Sequence, residues 1–182
     1  MVKTFRMTFY LLMVGVVVIL GLVLWARSVP RSADLGVNTS GELAACPDSP
    51  NCISSMASKP EQFLAPWTYT GSVDEARGRL LLILRLLPNA EVIADEGNYV
   101  AAEFRVAQLF MDDVEFLIDP LQKVVHFRSA SRLGRGDFGV NRKRMVRIGE
   151  AFQTSLSSPP PTAPTPQPSA EPDDDANDEM SL

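Results

Sequence analysis

Histidine and cysteine are nearly absent from this chain: one of the former and two of the latter in 182 residues. That scarcity excludes a closed zinc centre, because two thiols and His126 fall short of four protein ligands. Also missing are the Gly-x-Ser-x-Gly elbow of serine hydrolases and the Gly-Lys-Ser or Gly-Lys-Thr of a phosphate loop. No internal repeat is visible, and no cofactor is expected. Charge is lacking altogether over the twenty residues Met7–Ala26. A helix of that length covers roughly 30 Å, the thickness of a bilayer's hydrocarbon core. Tyr10 and Trp25 near its ends suit the interfacial aromatic belt. The run is longer than a signal-peptide core and no small-x-small cleavage site follows closely, so a single transmembrane span is favoured over a cleaved signal. Lys3 and Arg6 precede it while Arg27 and Arg31 follow, a near tie in the charge rule. The short leading segment 1–6 with its free amino terminus favours a cytoplasmic start and an exported domain.

What remains divides by composition. Residues 27–45 are polar, contain glycine and serine, and show no apolar period, which reads as a flexible linker. Residues 46–153 carry the patterned segments of a domain. Residues 154–182 are Ser/Pro/Thr-rich and then acidic, and are expected to be disordered, because they bury too little apolar surface to offset ordering entropy. Charge is segregated: Arg128–Arg147 holds seven basic residues against Asp137, whereas Glu171–Leu182 holds six acids.

Inside the domain, Trp67–Thr70 reads as a strand. Ser72-Val-Asp-Glu75 is a capping box opening a helix that Pro88 stops. Ala90–Asp95 and Tyr99–Val106 read as strands turned by Gly97, and Met111–Ile118 with Lys123–Ser131 as a hairpin around Asp119-Pro120. A last helix over Asn141–Gln153 places Met145, Ile148 and Phe152 on one face with Asn141. This order implies an α+β domain, a small antiparallel sheet of about four to five strands with two helices on one face, preceded by the transmembrane helix. Pairing Ile118 with Lys123 sets Asp113 opposite Arg128 and Glu115 opposite His126 on one sheet face. Val114 then faces Phe127 on the other.

The segments Cys46-Pro-Asp-Ser-Pro-Asn-Cys52-Ile-Ser-Ser55, Asp112-Asp-Val-Glu-Phe116 and Arg128-Ser-Ala-Ser-Arg132 through Asn141-Arg-Lys-Arg144 resemble those of the DUF1499 family of domains of unknown function. The resemblance runs from Cys46 to Phe152. It implies a small domain, often membrane-anchored or exported, with no established activity. The chain departs from the family pattern at Arg135-Gly136, where an aromatic and a serine are expected.

Several residues are candidates for chemistry. Cys46 and Cys52 are close enough to form a disulfide in an exported domain, worth ~2 kcal/mol through the unfolded state. A lipoprotein-like Leu43-Ala-Ala-Cys46 lies too far beyond the apolar run to be processed as one. His126 with Glu115, Asp113 and Ser129 suggests a triad, but Ser129 points to the opposite face, and a His126–Glu115 pair is preferred. Asp112, Asp113 and Glu115 project to both faces, which favours internal ion pairs over a bound cation, and no metal is assigned. The glycine-rich Arg132–Val140 loop runs into a helix start flanked by arginines, an arrangement suited to anions. Arg128, Ser129, Ser131, Arg132, Asn141, Arg142 and Arg144 are the expected anion ligands. Asp112, Asp113, Glu115, His126 and Asp137 form the internal polar network competing for them. The leading expectation is a non-enzymatic accessory domain, tethered through residues 7–26, that takes lipid headgroups, an envelope polymer or an acidic protein segment. The acidic tail itself is a possible competitor. Nucleic acid is not expected, since the arginines lack an aromatic stacking platform. The rival is a hydrolase using Asp112 or Asp113 with Arg128 and Arg142 as charge stabilisers.

Overall fold

Ser72 caps the first domain helix as its sequence dictates. Its hydroxyl accepts from the Glu75 amide at 3.1 Å while the Glu75 carboxylate accepts from the Ser72 amide at 2.7 Å, satisfying two otherwise orphan donors. The computed structural model describes residues 2–107 and 109–154; the tail expected to be disordered lies outside the described residues. Elements run in the order α1 (Val2–Arg27), β1 (Cys52–Ser54), β2 (Trp67–Thr68), α2 (Val73–Leu86), β3 (Ala90–Glu96), β4 (Tyr99–Val106), β5 (Phe110–Asp119), β6 (Val124–Ser131) and α3 (Val140–Thr154). Leu87, ahead of Pro88, is extended at ψ 114° and ends α2, as crowding by the proline ring requires.

The sheet is antiparallel in the order β1-β6-β5-β4-β3, and β2 shares the β1 edge of β6. Strand β1 escaped the sequence reading, since three residues are too few to show a period of two. Ala76, Leu80 and Leu84 of α2, with Met145, Ile148 and Phe152 of α3, cover one face, meeting Val100, Phe104, Val114, Phe116, Val125 and Phe127. The Trp67 ring lies among Phe127, Phe116 and Phe152, at centroid distances of 4.8, 5.8 and 5.8 Å. Gly149 makes room for it, because a Cβ there would fall 2.5 Å from the indole nitrogen.

The β5–β6 register differs from expectation. Asp119 pairs with Val124, Glu115 with Arg128 and Asp113 with Ala130. The turn explains the displacement of one residue on each strand. Asp119 stays in the ladder and its carboxylate accepts from the amides of Leu121 and Gln122 at 2.7 and 2.9 Å. Lys123 takes a left-handed φ of 55° and belongs to the turn rather than the strand. A combined shift of two keeps every side chain on its expected face and changes only its partner.

Within the stretch 27–45, expected to be a flexible linker, residues 31–36 lie along the outer face of the sheet. Arg31 pairs with Glu103, the Ser32 amide donates to Asp113 at 3.3 Å, and the Gly36 amide donates to Glu115 at 2.8 Å. Leu43 is buried, and Cys46 is bonded to Cys52. In that bonded state Cys46 has no thiol for lipid attachment.

Candidate functional site

Alternation along β5 and β6 splits the polar residues into two clusters on opposite faces. Glu103 of β4 and Asp113 of β5 are direct cross-strand neighbours on the outer face. Two like charges so placed repel, and Arg132 resolves this by bridging them. It donates to both Asp113 oxygens, from Nε at 3.0 Å to Oδ2 and from Nη2 at 2.6 Å to Oδ1, and Nη2 also reaches Glu103. The hydrogen bond from Arg31, followed by that from Arg132, holds the Glu103 carboxyl below the usual carboxylate range against the opposing effect of burial. One residue pair further along, Arg128 Nη1 donates to Glu115 at 2.9 Å and the Tyr99 hydroxyl donates to the same carboxylate at 2.9 Å. Burial, then the negative charge of Glu115, raises the Tyr99 phenol well above its ordinary value. Arg128 therefore pairs with Glu115 rather than Asp113, and Asp113 pairs with Arg132. His126 does not meet Glu115 either: it sits opposite Leu117, with Nδ1 3.1 Å from the Ser55 hydroxyl. Burial lowers its pKa, so the ring is neutral near pH 7.

The inner cluster ties the sheet to α3. Arg144 reaches Asp112 with Nη2, and with Nη1 it donates to Ser129 Oγ at 2.9 Å and Asn141 Oδ1 at 2.6 Å. Its guanidinium lies 4.7 Å over the Phe104 ring, where a cation is attracted by the ring face. Asn141, fully buried, donates from Nδ2 to Ser131 Oγ, Asp137 Oδ2 and the Asn51 carbonyl. Asp137 occupies the start of α3, accepting from the amides of Gly139 at 3.1 Å and Asn141 at 2.7 Å. An anion expected at that helix entrance is thus supplied by the chain itself.

The expected anion ligands are brought together, but their donors are largely committed. Arg128, Arg132 and Arg144 hold carboxylates. Ser129, Ser131 and Asn141 bond one another or Arg144. Arg142 lies apart, donating to the carbonyls of Glu61 and Phe63 at 2.7 and 3.1 Å. One buried atom of the outer cluster, Arg128 Nε, has no hydrogen-bond partner among the described residues. It belongs to a residue that lines a cavity of about 290 Å³ with Ser32, Asp113 and Arg132 beneath the linker. No group of three or more acidic, histidine or cysteine side chains suited to a metal occurs among the described residues.

Sequence reasoning missed Arg31, Asn51 and Glu103. Glu103 was detectable as an outward-facing charge in the apolar Tyr99–Val106 strand. Nothing local marked the other two, whose partners lie 72 and 90 residues away. Sequence reasoning counted Arg135, Lys143 and Arg147 in the basic segment but did not join them to Arg105 as a surface. Arg105, Arg135, Lys143 and Arg147 are exposed and make no ion pair among the described residues. Arg105, Lys143 and Arg147 line a groove of about 330 Å³ beside Arg144.

A family model described as a protein of unknown function (DUF1499) matches residues 42–152. The chain belongs to the DUF1499 family. That match contains the inner polar cluster, the outer one apart from Arg31, the disulfide and the six described strands of the DUF1499 domain, and leaves α1 outside it. No curated protein matches the chain significantly. The apolar helix ahead of the DUF1499 domain, Arg6–Ala26, is long enough to be a membrane anchor or a signal sequence.

Proposed function

We propose that this DUF1499 protein is a membrane-anchored accessory domain displayed outside the cytoplasm. It performs no chemistry of its own and holds an anionic partner on the basic surface of Arg105, Lys143 and Arg147. One observation carries the reading: each carboxylate nominated for catalysis already holds a guanidinium, whereas the exposed cations of this surface hold no carboxylate among the described residues. Asp112 is bound by Arg144, Asp113 by Arg132 and Glu115 by Arg128. The buried arginines fix the loop and helix that display the exposed ones, so the anion-accepting role moves from the expected ligands to their neighbours. The Cys46–Cys52 bond supports an oxidising compartment. The hydrolase reading retains one supporting observation, that Asp113 lines the cavity under the linker. Both oxygens of that carboxylate already accept from Arg132, and Arg142 is on another part of the surface.

The test uses the full chain in neutral detergent with a labelled poly-aspartate peptide as probe, followed by anisotropy. Binding is expected at low salt, weakening as salt screens it. Lys143→Glu with Arg147→Glu should weaken it at least about tenfold, roughly 1.4 kcal/mol. Absence of binding at low salt, or no effect of the reversal, refutes the reading.

A further inference from the structure

The anchored end of the sheet carries greasy side chains that the core does not use. Phe138 is 98% exposed, and Phe110 is 43% exposed. Together with Leu133, Val106 and Val140 they edge an apolar hollow of about 430 Å³, continuous through Val106 and Val140 with the basic groove. A ring so exposed, on a hollow that adjoins the groove of Arg105, Lys143 and Arg147, cations without an ion pair among the described residues, has the composition of a segment that lies in a bilayer interface.

Topology places this patch at the membrane. Strands pair antiparallel, so the end of β4 (Val106), the start of β5 (Phe110) and the end of β6 (Ser131) share one edge of the sheet. Ala26 is buried and α1 touches β5, and the order of the linker contacts along β5 puts the end of α1 toward the Phe110 end. From there the linker proceeds along β5 away from Phe110, through Asp113 and then Glu115. Arg31 is fixed to Glu103, and the five residues from Ala26 to Arg31 span at most about 18 Å even fully extended. Phe110 and the Leu133–Phe138 loop thus lie where the headgroups begin. The opposite end of the sheet carries Leu121, 92% exposed, at the tip of the β5–β6 turn.

We infer that the Leu133–Phe138 loop and Phe110 insert into the interface of the bilayer that α1 enters, with Arg105, Arg135, Lys143 and Arg147 on anionic headgroups. The inference rests on the anion-accepting reading above and names its partner as a lipid surface. Basic side chains are drawn to an anionic leaflet, and the aromatic ring sets the depth. The anchor restrains the domain so closely that this weak contact forms within one molecule at high effective concentration.

The experiment uses the full chain reconstituted in vesicles of phosphatidylcholine with or without phosphatidylglycerol, the acyl chains brominated as quenchers. Phe138→Trp adds a reporter at the patch, and Leu121→Trp adds one at the far tip; emission is read as the difference from the unsubstituted protein. Quenching of the indole at position 138 is expected to be at least about twofold that at position 121. It should be greater with phosphatidylglycerol and fall when Arg135, Lys143 and Arg147 are changed to Glu. Equal quenching at the two positions, or none at 138, overturns the inference. Protection of position 138 from aqueous iodide without bromolipid quenching also overturns it, and assigns the patch to a second copy or another protein. If poly-aspartate still binds in detergent while bilayer quenching fails, only the lipid assignment is lost. If both fail, the anion-accepting reading is lost as well.

Discussion

Single residues in this domain are set by who their partner is, and His126 shows the consequence for pH. Its ring is half-buried beside Ser55, and burial depresses its pKa; the nearby charges of Asp119 and Glu42 oppose that only in part. A folded-state pKa below the unfolded value means the unfolded chain binds the proton more readily. The stability it contributes is complete above about pH 6.5 and is lost as pH falls through the lowered native value. Melting temperatures of the wild type and His126→Gln, followed between about pH 7.5 and 5, are expected to diverge, with the wild type falling more steeply. Parallel curves would mean that the imidazole is not held neutral. The buried arginines belong to this scale too. A paired buried charge is weak evidence of net stability, whereas removing one partner leaves an uncompensated ion. Glu115 and Arg128, fully and almost fully buried, therefore fix geometry more than they add stability.

Among elements, the seating of α3 on the sheet decides where the loop and its cations go. The helix presents Asn141, Met145, Ile148 and Phe152 inward, and Gly149 admits the Trp67 indole against its backbone. A methyl at that position meets ring atoms at 2.5 and 2.8 Å, so either the indole or the helix has to move. Gly149→Ala is expected to cost about 1–3 kcal/mol from overpacking, reduced by up to about 1 kcal/mol from better helix propensity. Chemical denaturation measures it; a variant at least as stable as the wild type would show that the contact is easily relieved. The β5–β6 turn acts at the same scale. Asp119 was legible as a turn residue, but its own side chain caps the turn from within the ladder, and that moved the register by one residue on each strand.

For the whole molecule, the apolar helix, the disulfide and the outer-face covering belong together. Residues 28–47 run from α1 across the Glu103, Asp113 and Glu115 carboxylates to the Cys46–Cys52 bond. This fastens the segment after α1 to the domain instead of leaving it as a long leash. An exported domain predicts a definite labelling pattern in intact cells. An impermeant thiol reagent should modify Cys46 and Cys52 only after an impermeant reductant has opened the bond. Labelling that requires lysis, without any need for reductant, would place the domain inside and remove the case for the bridge.

The chain's one-dimensional pattern was enough for the apolar span, the Ser72–Glu75 cap, the stop at Pro88, the faces of α3 and the alternation of β5 and β6. Each is governed by neighbours within a few residues, through a capping hydrogen bond, a ring clash or a period of 3.6 or 2. Partnership could not be read that way. Whether Arg128 holds Asp113 or Glu115, whether Arg132 bridges to Glu103, and whether the polar segment after α1 hangs free or covers a row of carboxylates depend on atoms far apart in the chain. Only the folded sheet brings them within hydrogen-bonding reach. Folding also decided which arginines were consumed inside and which were left facing outward. The β5–β6 register, selected by a turn residue's own side chain, decided the partner of Arg128 and left its face unchanged.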